Sequence, residues 1–80
     1  MNETLRIEIL GTGCKKCQQL EANVRQAVVM RNLTAGVVQI TDMMQIAYRG
    51  VMAMPALVVN DEVVSQGTVI TPEEIAAHLG

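Results

Sequence analysis

Two cysteines are the residues best suited to chemistry. Cys14 and Cys17 bracket Lys15 and Lys16 in a C-x-x-C spacing, and the 80-residue chain has no other cysteine. A bridge between residues this close closes a tiny loop and hardly constrains the unfolded chain. The pair is therefore a poor staple and a good candidate for reversible thiol–disulfide exchange. Exchange needs an exposed attacking thiolate and a sheltered second sulfur within reach. Gly11-Thr12-Gly13 breaks the chain just before Cys14, and apolar positions Cys17, Leu20, Val24, Ala27 and Val28 recur at helical steps after it. That places Cys14 at the mouth of a helix, where unpaired N–H groups and the helix dipole favour a negative sulfur. Lys15 and Lys16 add positive charge, and such surroundings lower a thiol below its free value of ~8.5. Cys17, one turn further in and on the apolar face, is expected to be buried and less reactive.

The elements that must hold this pair can be read from patterning. Leu5–Leu10 alternates like a strand, and the helix carrying Cys17 follows the glycine loop. Asn32 to Gly36 forms a turn, and Val37–Ile40 a second strand. Thr41 or Asp42 caps a short helix through Tyr48, with Gly50 past its end. Ala56–Val59 and Glu62–Ser65 make an antiparallel hairpin about Asn60-Asp61. Thr71-Pro72-Glu73-Glu74 starts a last helix with a cap, a proline at the first position and a capping-box Glu. Ile75, Ala76 and Leu79 form its inner face. The order is βαβαββα: one α/β domain over residues 1–80, with a four-stranded mixed sheet, helices on both faces and its first two strands parallel.

Composition removes several classes of function. A formal charge of −2, no basic run, and one aromatic residue, Tyr48, argue against nucleic-acid binding. No stretch approaches the ~18 consecutive apolar residues of a membrane span. Met1-Asn2-Glu3-Thr4 lacks the basic start of a secretory leader, so the expected location is the cytoplasm, where thiols stay reduced. Without Trp or Phe the core must come from Val, Ile, Leu, Ala and Met, with Tyr48 packing the second helix onto the sheet. Met30, Met43, Met44, Met52 and Met54 read as core or surface-patch fillers rather than metal ligands. Structural zinc needs about four ligands, and only His78 could join the two sulfurs. His78 itself suits the C-terminal dipole of the last helix. No metal site and no bound cofactor are expected.

Cys14-Lys15-Lys16-Cys17 after a strand, Met54-Pro55 before a hairpin and Gly67 after it together resemble the thioredoxin superfamily. Gly11-Thr12-Gly13-Cys14-x-x-Cys17 is especially similar to the small bacterial and archaeal thioredoxin/glutaredoxin-like proteins known as redox-active disulfide protein 2. The resemblance spans nearly the whole chain. It implies a thioredoxin-like fold and a thiol–disulfide oxidoreductase in which Cys14 is the nucleophile and Cys17 the resolving thiol. It implies that Pro55 is a cis-proline facing the pair and that Met54 offers its main chain to an extended substrate segment. Gly13 stands where thioredoxins carry a Trp and joins that substrate-facing set. Glu8 has the spacing of a buried acid, six residues before the first Cys, that accepts the resolving thiol's proton. Glu8 shares a strand face with Arg6, and on a wet face it would be a plain surface charge. The implied partners are disulfide-containing proteins and a thioredoxin-reductase-type flavoprotein or related donor, met by a monomer. The single glycine at Gly67, followed by Thr68, departs from the glutaredoxin pattern for glutathione.

Two other readings use the same residues. A metallochaperone-like domain would bind Cu(I) through the two thiolates. Such domains run βαββαβ and place Met two residues before the first Cys, where this chain has Thr12, and they have no use for Met54-Pro55. A non-catalytic interaction module on the same fold is the third reading.

Overall fold

The computed structural model describes residues 5–79. Met1–Thr4, read above as lacking a leader's basic stretch, lie outside the described residues, as does Gly80. Seven elements follow in the order β1 (Leu5–Leu10), α1 (Lys15–Met30), β2 (Ala35–Ile40), α2 (Met43–Tyr48), β3 (Ala56–Val59), β4 (Glu62–Gln66) and α3 (Pro72–His78). The sheet order is β2-β1-β3-β4. β1 pairs parallel with β2 and antiparallel with β3, and β3 pairs antiparallel with β4. The βαβαββα order and mixed sheet are those expected from the sequence. β2 begins at Ala35, inside the stretch expected to turn, and β4 runs one residue longer, to Gln66.

Each boundary has a local cause. Asn60 and Asp61 both take positive φ, 50° and 67°, as a two-residue hairpin turn of the primed type requires. Asp42 caps α2 by accepting from Met44 N at 2.9 Å. Thr71 caps α3 by accepting from Glu74 N at 3.2 Å, with Pro72 at its first position.

The sheet separates two apolar layers. Ile7 and Ile9 of β1 and Leu57 and Val59 of β3 face α1 and α3, packing on Leu20, Val24, Ala27, Ile75, Ala76 and Leu79. The alternate positions Leu10, Ala56 and Val58 face α2 and cluster with Ile46, the buried residue of that helix. The helices thus cover both faces, unequally.

Two packing expectations are corrected here. Tyr48 does not pack α2 onto the sheet; it is 90% exposed, and Ile46 is the buried residue of that helix. A helix of six residues turns one stripe to the sheet, and a residue two positions on lies about 200° round the axis. Methionine does not build the core either. Met30, Met43, Met44, Met52 and Met54 are all exposed, and the buried set is aliphatic. Among the described residues no helix is long and apolar enough to cross a membrane.

Candidate active site

Cys14 is the N-cap of α1 and is exposed, whereas Cys17 is buried. The asymmetry expected from the helix period is present. Their sulfurs are 2.9 Å apart, within hydrogen-bond contact of each other. No side chain caps α1, which leaves the first-turn N–H groups free to face the Cys14 sulfur. The Cys14 thiol is held below its ordinary range, first by the Cys17 thiol and then by the Cys17 backbone N–H, with the Lys16 backbone N–H adding less; its slight burial opposes them. Lys16 therefore acts on Cys14 through its main chain. The ammonium groups of Lys15 and Lys16, expected to tune the thiol, do not figure among the causes.

The glycines before Cys14 do two different things. Gly13 has φ +81°, a conformation that favours glycine, and its carbonyl accepts from Gln18 Nε2 at 3.2 Å. Gly11 is buried, and a Cβ there would collide with Cys17 Sγ and lie 3.9 Å from Pro55 Cα. Gly11 is thus the place where Cys17 and Pro55 come together. Sequence reading found the glycine break but missed this packing role.

The Met54–Pro55 peptide bond is cis. Pro55 is buried at the start of β3 and Met54 is exposed beside it. The Pro55 carbonyl accepts from Gly67 N at 2.9 Å. The Met54 N–H and C=O have no partner among the described residues. A free main-chain donor and acceptor on an exposed edge is what an extended peptide needs for strand-like pairing.

Glu8 is not on a wet face. It is 1% exposed because β1 is an inner strand and the end of α2 covers it. Arg6, on the same face, lies nearer the strand start and is exposed. Glu8 Oε2 accepts from Arg49 Nη2 at 2.7 Å, and Oε1 is buried without a partner. Arg49 also lies 3.9 Å from Asp61. No hydrogen bond joins Glu8 to Cys17 among the described residues. Arg49 was not singled out from sequence, because a partner 41 residues away leaves no local signal. No group of three or more His, Cys, Asp or Glu side chains able to hold a metal occurs among the described residues.

The family described as "Thioredoxin domain" matches residues 5–80. The chain belongs to the thioredoxin family. A thioredoxin of Methanothermobacter thermautotrophicus is 42% identical over 71 residues, covering 89% of this chain and 92% of that protein. A thioredoxin of Methanocaldococcus jannaschii is 38% identical over 73 residues, covering 91% of this chain and 84% of its own. A solved structure titled "Structure of a malarial protein" superposes with TM-score 0.65 at 10% identity, covering 94% of this chain and 92% of its own. That likeness speaks to the fold alone: the thioredoxin-like sheet and helices persist where sequence similarity has nearly gone.

Proposed function

We propose that this thioredoxin-family chain is a thiol–disulfide oxidoreductase that exchanges disulfides with protein partners. The observation that carries the reading is the pair itself: an exposed, acid-shifted Cys14 in hydrogen-bond contact with a buried Cys17. The Cys14 thiolate attacks one sulfur of a partner disulfide, forming a mixed disulfide and releasing the other sulfur as a thiolate. Cys17 then loses its proton and attacks Cys14 Sγ. The mixed bond breaks, the partner leaves with both sulfurs reduced, and the two electrons it gained leave Cys14 and Cys17 joined. Glu8 is the acceptor proposed for the Cys17 proton, being the one buried acidic side chain among the described residues, with Oε1 free.

Met54 supplies the docking edge, backed by Pro55 and bordered by Gly13. Lys15 and Lys16, both exposed, face acidic partners. A flavoprotein of the thioredoxin-reductase type or a related dithiol donor returns the pair to the reduced state, and the setting is the cytoplasm. The two archaeal thioredoxins support exchange with disulfide substrates and a reductase donor; the roles of Met54, Pro55, Gly13, Lys15 and Lys16 rest on the family resemblance.

The test is reduction of a protein disulfide with dithiothreitol as donor. The wild-type chain accelerates it and Cys14→Ser abolishes the acceleration. A chain that reduces nothing yet binds one Cu(I) tightly through both sulfurs belongs instead to the metallochaperone-like reading.

A further inference from the structure

The loop that presents Met54 is held from β4. Gly50, with φ +75°, opens it just after α2, and Pro55 closes it at β3. Between them one side-chain hydrogen bond reaches the loop backbone among the described residues: Met52 N donates to Gln66 Oε1 at 2.8 Å. Gln66 is the last residue of β4 and pairs with Ala56. The next residue, Gly67, donates its N–H to the Pro55 carbonyl and lies so close to Ala53 that a Cβ there would sit 2.9 Å from the Ala53 Cβ. Gln66 and Gly67 therefore buckle both ends of the Met52–Pro55 segment onto the hairpin, while the Met54 main chain between them stays unpaired.

We propose that Gln66 is a positioning residue for partner docking: its side-chain carbonyl fixes the loop so that the Met54 N–H and C=O face outward in one geometry. The role rests on the oxidoreductase reading above, in which Met54 is the docking edge. Gln66 touches no reacting sulfur, so it acts on how a protein substrate binds and not on the exchange step. An edge already ordered before binding spares the partner the cost of ordering it.

Two variants separate the carbonyl acceptor from the bulk of the side chain. Gln66→Met keeps the length and loses the acceptor; Gln66→Glu keeps an acceptor oxygen. In Gln66→Met, KM for a protein disulfide rises about threefold to tenfold, the size of one net hydrogen bond. The value of kcat, and the rate with a small aromatic disulfide that needs no edge, stay at wild-type values. Amide hydrogen exchange at Met52 speeds up in Gln66→Met, and Gln66→Glu restores both readouts. The role is overturned if Gln66→Met keeps the wild-type KM and Met52 exchange, if Glu fails to rescue, or if small-disulfide reduction falls in parallel. A wild-type chain that reduces neither disulfide overturns the oxidoreductase reading, and this role with it. An active wild type with an unaltered Gln66→Met overturns the role alone.

Discussion

Arg49, from the end of α2, reaches 2.7 Å from Glu8 Oε2 inside the layer that α2 makes with the sheet. One carboxylate oxygen is thereby matched and the other is left without a partner. Removing one member of such a pair strands a charge, whereas replacing both with apolar groups removes the desolvation cost as well. Arg49→Met is expected to destabilise the fold by about 3 kcal/mol, and the Glu8→Leu/Arg49→Met pair to recover most of that. Urea unfolding of the two single variants and the double variant measures the coupling. Additive losses would show that the pair does not act as a unit.

Gly11→Ala tests the crowding behind Cys17. The new Cβ collides with the buried Cys17 sulfur, so the sulfur or the β1–α1 loop must shift. Overpacking of this kind costs about 1–3 kcal/mol. The urea midpoint should fall. Alkylation of Cys14 should shift to higher pH as the displaced Cys17 sulfur weakens the hydrogen bond between the two.

The Cys17 thiol is the largest cause of the lowered Cys14 value. Cys17→Ala should therefore raise the inflection of the Cys14 alkylation rate against pH toward the ~8.5 of a free thiol, with the wild-type inflection below it. A depressed acid adds stability to the reduced fold above the ordinary thiol range, and the gain is lost as pH falls through the depressed value. Cys14 is exposed, so alkylation is the informative readout. Identical inflections in wild type and Cys17→Ala would show that the second sulfur does not tune the first.

Thr71→Ala removes the cap of α3, leaving Glu74 N without its acceptor. The expected loss is about 1 kcal/mol in urea unfolding. The Cys14 alkylation profile should not change, because Thr71 caps α3 whereas Cys14 caps a different helix, α1.

Features set by near neighbours were legible in the sequence. Cys14 and Cys17 declared their unequal exposure through helix period, Thr71-Pro72 marked the last helix, and Asn60-Asp61 marked the hairpin. The cis bond before Pro55 was expected from family resemblance alone. What escaped depends on contacts between distant segments. Glu8 is buried because an inner strand meets the end of α2, and Gln66 finds Met52 only once β4 has paired with β3. Gly11 reads as a chain break until Cys17 is packed against it. Tyr48 misled for another reason: its type suggests a core residue, but so short a helix gives its single buried position to Ile46.

The most direct test of the account is a redox titration of the wild-type chain in glutathione buffers, read by intact mass after quenching. Full interconversion of a monomeric dithiol and a monomeric Cys14–Cys17 disulfide in one two-electron step is the predicted result. A pair that stays reduced across the whole range, or oxidises only by linking two chains, would contradict it.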